Sequence, residues 1–194
     1  MLASLLVGAS AAGADYHEGP GPVTEIVEGP ADWSLISDPA PVFRFISSAA
    51  NPQFRCVVNE SEVPCSGPDH HVAELPDGFH QFSVASADGG GPFGEPATRV
   101  FFIDTRAPDT TIRYAIVKGG KRLVALFESS EGGTRFECRL ATGKWRDCSI
   151  PYRRKLPKKL RKPGKKFKLR ARAVDGAGNR DPSPAKMRVR VPRR

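Results

Sequence analysis

The chain has 194 residues, a net charge of +9, 39% hydrophobic residues, 19 Gly and 18 Pro. That composition is globular and excludes wholesale disorder, and the Gly and Pro content argues for short elements joined by tight turns over long helices. No apolar run reaches the roughly 18 residues that a membrane-spanning helix needs, so no integral membrane span is expected.

In chain order, residues 2–14 are apolar or small and end in Ala12, Gly13 and Ala14 before polar Asp15. This pattern fits the hydrophobic region and cleavage site of a secretory signal peptide. The basic residue that normally precedes such a region is missing, which suggests a truncated start. A disordered leader and a mature first strand are the alternatives. The expectation is a signal peptide over 1–14 and a flexible segment over 15–22.

The remainder is a repeat. Ser47 and Ser48 precede Phe54 and Cys56, as Ser129 and Ser130 precede Phe136 and Cys138, at an offset of 82. The second cysteines, Cys65 and Cys148, are offset by 83; Phe82, Val84 and Asp88 match Leu169, Ala171 and Asp175 at 87. Phe101 and Ile103 match Val189 and Val191 at 88. The offset grows at turns, as in duplicated domains whose loops accept insertions. Within each copy apolar residues recur at every second position, as in Phe43/Phe45, Val124/Leu126 and Phe167/Leu169/Ala171/Ala173. Such short alternating runs between Gly-rich turns predict antiparallel sandwiches, each with a buried and a wet face. Thr24 to Ile26 and Thr111 with Ile112 should open the first strand of each copy. The expected division is domain 1 over 23–104, a linker over 105–110 containing Pro108, and domain 2 over 111–194.

The two units differ in charge. Residues 1–104 hold 3 Lys/Arg against 14 Asp/Glu, and residues 105–194 hold 27 against 7. Opposite halves suggest different partners and allow head-to-tail self-association between molecules.

The serine pair, F-x-C, second cysteine, F-x-V and Ala107-Pro108-Asp109-Thr110-Thr111-Ile112 together resemble the immunoglobulin-like, fibronectin type III-like repeats of secreted actinobacterial proteins. The resemblance covers about 23–194. It implies an all-β protein of two tandem immunoglobulin-like antiparallel β-sandwiches after a short N-terminal leader, serving as a stalk, adhesion or accessory module. It implies no activity of its own. Copy 2 keeps the family's Asp-x-Ala-Gly-Asn turn at Asp175 to Asn179, whereas copy 1 has Asp88 followed by three glycines, so this turn reads as structural.

Four cysteines permit three pairings, and the repeat favours Cys56–Cys65 and Cys138–Cys148. Free thiols and a Cys₂His₂ metal set using His70 and His71 are the alternatives, but copy 2 has both cysteines and no histidine, which argues against the metal. Disulfides agree with the leader in pointing to a secreted or cell-surface location.

Of the twenty residues 153–172, twelve are Lys or Arg. Residues 153–166 read as a loop broken by Pro157, Pro163 and Gly164. Beyond it Lys168, Arg170 and Arg172 alternate with apolar residues, as do Arg188 and Arg190, so they should share the outer face of two paired strands. These five are the candidate polyanion-binding residues, and like charges facing each other across strands disfavour the sheet unless a counter-charge arrives. A solvated, solubilising basic face is the plainer reading. Cell-envelope phosphate polymers, acidic glycans or anionic lipid headgroups fit the charge. Nucleic acid would suit the charge as well, but the sequence has no recognition helix, stacking aromatics or base-reading motif, and the export signal argues against it.

Other features read as structural. Gly89, Gly91 and Gly94 mimic a dinucleotide fingerprint inside a loop. Asp175, Asn179 and Asp181 could ligate calcium but equally suit a tight turn. Asn59-Glu60-Ser61 is a glycosylation sequon, His70 and His71 form a solvated loop pair, and Trp145 suits packing beside the disulfide. No catalytic residues, cofactor or metal centre are expected. The sequence therefore predicts a non-catalytic surface binding or adhesion module, with a passive spacer of a larger exported assembly as the alternative.

Overall fold

The computed structural model describes residues 21–193; the expected signal peptide lies outside them. Residues 21 and 22 close the segment expected to be flexible, and here they run tightly against Phe93 and Gly94, where a Cβ on Gly94 would overlap the Pro22 carbonyl. That close approach explains the third glycine of the apparent dinucleotide fingerprint.

The chain is all-β. Its first half contains β1 (Thr24–Glu28), β2 (Ser34–Ile36), β3 (Val42–Ser47), β4 (Pro52–Val58), β5 (Ser61–Val63), β6 (Asp69–His71), β7 (Gly78–Asp88) and β8 (Ala97–Ile103). The second half contains β9 (Thr110–Lys118), β10 (Arg122–Ser129), β11 (Arg135–Leu140), β12 (Arg146–Cys148), β13 (Tyr152–Lys155), β14 (Lys166–Val174) and β15 (Ala185–Arg190). Sheets ordered β1-β3-β6 and β2-β8-β7-β4-β5 form one sandwich; β13-β10-β9 and β12-β11-β14-β15 form the other. Leaving β2 aside, the two have identical strand orders, so the repeat read from the sequence is a repeat of topology.

The correspondence extends to irregularities. Ile26 pairs with Phe45 and Glu28 with Arg44, leaving Val27 as a bulge. Ile112 pairs with Phe127 and Tyr114 with Leu126, leaving Arg113 in the equivalent place. A bulge bends and twists its strand, and here it does so at the same point of both copies.

Period-2 alternation decides what is buried, although in β10 it is Leu123, Ala125 and Phe127 that face the core while Val124 and Leu126 of the expected pair lie on the outer face. Ile26, Phe43, Phe45, Phe82, Val84 and Phe101 gather in one core, with the Phe43 and Phe82 rings stacked 4.1 Å apart. Leu123, Phe127, Phe136, Leu169, Val189 and Val191 gather in the other. At the edge of the first core, buried Thr24 and Ser86 hydroxyls hydrogen-bond at 2.7 Å, and Ser47 joins Ser86 at the same distance. Those serine and threonine positions thus satisfy one another inside an apolar setting.

Three local expectations are corrected. The sandwich is not wholly antiparallel, because β2 runs parallel to β8 along the sheet edge. The turn leading into it is fixed by hydrogen bonds between Trp33 N–H and the Val100 carbonyl and between Val100 N–H and the Asp32 carboxylate. The basic segment 153–166 is not simply a loop: residues 152–155 are strand β13 and Lys158–Leu160 form a 3₁₀ turn, anchored by buried Tyr152, Leu156 and Leu160. His70 and His71 lie in β6, not a loop, and the His70 ring stacks on Phe82 at 5.5 Å. Burial there, with the neighbouring His71, pushes the His70 imidazole below the usual histidine range.

Both expected disulfides are present, Cys56–Cys65 and Cys138–Cys148, with Cα separations of 5.9 and 5.8 Å. Each crosses its hairpin diagonally: Cys56 lies opposite Val63, and Cys138 opposite Arg146. Closing a loop of about ten residues contributes roughly 2–3 kcal/mol through the unfolded state. Replacing Cys138 and Cys148 together by serine is expected to lower unfolding stability by about that amount. Denaturant titration of the oxidised variant measures it, and an unchanged midpoint would contradict the estimate.

Candidate cationic interface on the second sandwich

Strand β14 alternates Phe167, Leu169, Ala171 and Ala173 inward with Lys166, Lys168, Arg170 and Arg172 outward. Strand β15 pairs with it antiparallel so that Lys166 faces Arg190, Lys168 faces Arg188 and Arg170 faces Lys186. Arg139 on β11 continues the Arg170 row. The sheet therefore presents three successive like-charged cross-strand rows. Among the described residues, none of these seven side chains forms an ion pair. Four of the five expected residues, Lys168, Arg170, Arg188 and Arg190, belong to this ladder, and Lys166, Lys186 and Arg139 join them.

Arg172 is placed differently. Its guanidinium pairs with Glu137 at 2.6 Å and lies over the Trp145 ring, 4.5 Å from the centroid. Glu137 faces Arg172 directly across the β11–β14 pairing and is also near Arg135 at 3.5 Å and Arg180 at 3.7 Å. Burial opposes ionisation of Glu137, but the Arg172 hydrogen bond and the surrounding arginines outweigh it and hold the carboxyl below the usual glutamate value. Arg172 is therefore a structural partner of Glu137, and the half-buried Trp145 lies under its guanidinium, where the sequence suggests packing beside the disulfide.

The ladder runs into a concave site that the sequence did not single out. Arg170 donates to the Ala141 carbonyl at 3.3 Å, and Arg139 donates to the Gly143 carbonyl at 2.9 Å. These bonds hold the turn after β11, where Ala141 has a φ of 52°. The turn borders a cavity of about 230 Å³ with Leu140 and Leu160 in its lining and Lys144, Arg146, Arg154 and Lys159 as its charged groups. The cations come from the β11–β12 hairpin (Lys144 and Arg146), β13 (Arg154) and the 3₁₀ turn (Lys159), and residue spacing gives no sign that these three segments meet. The excess of basic residues over 153–172 was the available signal.

The candidate calcium ligands do not converge. The Asp175 carboxylate accepts from the Gly178 and Asn179 N–H groups and from Asn179 Nδ2 at 2.7–2.8 Å. Asp181, 1% exposed, accepts from Thr110 N–H, Ser183 N–H and the Ser183 hydroxyl. Both acids serve the backbone. The Asp175 carboxylate instead comes within 4.8 Å of those of Asp104 and Glu131. Burial and these two negative neighbours push the Glu131 carboxyl above the usual range.

In the first half, Asn59 of the sequon has both ends of its amide engaged. Its Oδ1 accepts from Gln81 N–H at 3.1 Å, and its Nδ2 donates to His80 Nδ1 at 2.9 Å. His80, 4% exposed, completes the arrangement by donating from Nε2 to the Pro76 carbonyl at 2.8 Å. These partners define one neutral tautomer. His80 is thus a core histidine.

No family model matches the chain, and no curated protein matches it. Solved structures do. The fibronectin(III)-like modules of Clostridium thermocellum CbhA align over 88% of this chain and 95% of theirs, at 11% identity and a TM-score of 0.59. The FN1–FN3 domains of chicken CNTN1 align over 91% of this chain and 66% of theirs, at 15% identity and a TM-score of 0.48. The CbhA likeness agrees with the three- and four-stranded sheets of the second half and shows a fibronectin type III-like fold.

Replacing Glu137 by glutamine is expected to cost roughly 1–2 kcal/mol at neutral pH, the scale of a half-buried charge-assisted hydrogen bond. A carboxyl held below its ordinary value stabilises the fold above the unfolded pKa of about 4.3. That contribution disappears as pH falls through the lower folded value. The gap in melting temperature between wild type and Glu137→Gln should therefore be widest at neutral pH and shrink below about pH 4.

Proposed function

We propose that this chain is a non-catalytic, exported binding module that docks an anionic surface polymer along the β14–β15 ladder. The observation that carries the proposal is the register: Lys166–Arg190, Lys168–Arg188 and Arg170–Lys186 face one another with no acidic partner among the described residues. Facing like charges cost the sheet a few tenths of a kcal/mol or more per pair. A phosphate- or sulfate-bearing polymer converts that cost into binding energy. The cation-walled cavity beyond Arg170 offers such a chain a recessed place for one anionic group. Two disulfides support an oxidising, extracellular setting. The units that carry these surfaces are proposed to be residues 23–104 and 111–194, joined by 105–110.

Soluble polyphosphate tests the assignment. Lys168→Gln with Arg188→Gln should weaken binding about tenfold or more, at approximately 1 kcal/mol per cation near an anionic surface. The wild-type affinity should fall steeply with salt. Unchanged binding by the double variant would overturn the proposed site. A passive spacer would show no saturable binding at all.

The acidic first half favours a second contact, head to tail between molecules. Light scattering should then show self-association at low ionic strength that dissolves at high salt; a monomer in both conditions rules it out.

A further inference from the structure

The opposite sheet of the second sandwich has an outer face of different chemistry. Strand pairing sets its side chains in rows. Lys118, Arg122 and Lys155 lie directly opposite one another across β9, β10 and β13. The next outward row is Ile116, Val124 and Arg153, and the next pairs Tyr114 with Leu126. Tyr114 is 41% exposed and Ile116 is 45% exposed, while Val124 and Leu126 are half-buried. The face therefore grades from a row of three cations to a row of two apolar side chains. Among the described residues, none of its four cations has an ion-pair partner. Its acid, Glu128, lies beyond the apolar rows and is paired with Arg113.

The fold does not demand this apolar strip. In the first sandwich the position equivalent to Leu126 is Arg44, which pairs with Glu28 at 3.1 Å and Asp69 at 2.7 Å. Glu28 occupies the place of Tyr114, immediately after the shared bulge. At this row the same sheet surface carries an ion triad in one copy, flanked by exposed Val42 and Ile46, whereas in the other it is apolar beside bare cations.

We propose that the β9–β10–β13 face docks on the surface of a bilayer containing anionic phospholipid. A hydrophilic polyanion would neutralise Lys118, Arg122, Arg153 and Lys155 but leave Tyr114, Ile116 and Leu126 facing water. A neutral membrane would take up the apolar strip and leave the cations uncompensated. An anionic lipid surface meets both halves: headgroups pair with the cation row, and the apolar rows enter the interfacial region, where tyrosine is favoured. The proposal concerns the face opposite the β14–β15 ladder and does not rest on polymer binding there. One sandwich would then hold a membrane on one side and a polymer on the other.

The full chain should cosediment with vesicles of phosphatidylglycerol and phosphatidylcholine and not with phosphatidylcholine alone. Ile116→Thr with Leu126→Thr should weaken vesicle binding about tenfold or more through lost apolar burial and leave polyphosphate binding unchanged. Arg122→Gln with Lys155→Gln, exposed substitutions that leave the core intact, should weaken it by a similar factor. Lys168→Gln with Arg188→Gln should reduce polyphosphate binding and spare vesicle binding. Melting curves confirm that each variant is folded. Vesicle binding that is equal with and without phosphatidylglycerol, or that is indifferent to the threonine pair, would overturn the proposal. The latter result would reduce this face to a soluble-polyanion site.

Discussion

A lysine or arginine cannot be buried in this fold without a partner, and that prohibition fixes the register of the second sandwich. On β14 the cations sit on every second residue, so a slip of one position would turn Lys166, Lys168, Arg170 and Arg172 inward and Phe167 and Leu169 outward. The penalty for an unpaired buried charge far exceeds any single cross-strand interaction. The repulsion between facing cations is therefore carried in a frame that cannot relax by sliding. Only a counter-charge can relieve it. Where the fold supplies one, as Glu137 does for Arg172, the side chain belongs to the scaffold; where it does not, the charge faces outward.

Much of the architecture was legible because period and repeat are local signals. The cysteine spacing, the shared Phe and Val positions and the turn glycines identified two copies of one unit, and both disulfides and strand orders follow. What escaped depends on contacts between distant segments. β2 has only three residues, and its parallel place beside β8 is fixed by hydrogen bonds made by Asp32 and Trp33, which alternation cannot reveal. Tyr152, Leu156 and Leu160 are spaced four apart in a segment dense with charge and proline, so their anchoring of β13 and the 3₁₀ turn was masked.

The candidate site was legible to the same depth. The outward direction of Lys168, Arg170, Arg188 and Arg190 follows from alternation, and their pairing follows from the order of the last two strands. That Arg172 is already taken could not be read from spacing, because Glu137 lies 35 residues away. The convergence of Lys144, Arg146, Arg154 and Lys159 on one cavity, and of Asp104 with Glu131 and Asp175, likewise exists only in three dimensions. The two units share one frame, and their different outward residues give it two electrical characters.

The Asp175 turn has a mechanical corollary. Besides closing on the Asp175 carboxylate, Asn179 donates from Nδ2 to the carbonyl of Asp104 at 2.7 Å, just past the end of β8. Thr110, at the start of β9, is meanwhile gripped through its N–H by Asp181 and accepts the Ala173 N–H at Oγ1. The connector is thus clasped at both ends by the same loop. A pull along the polypeptide would load these clasps before the connecting residues could straighten, so tension would reach the second sandwich through its β14–β15 loop.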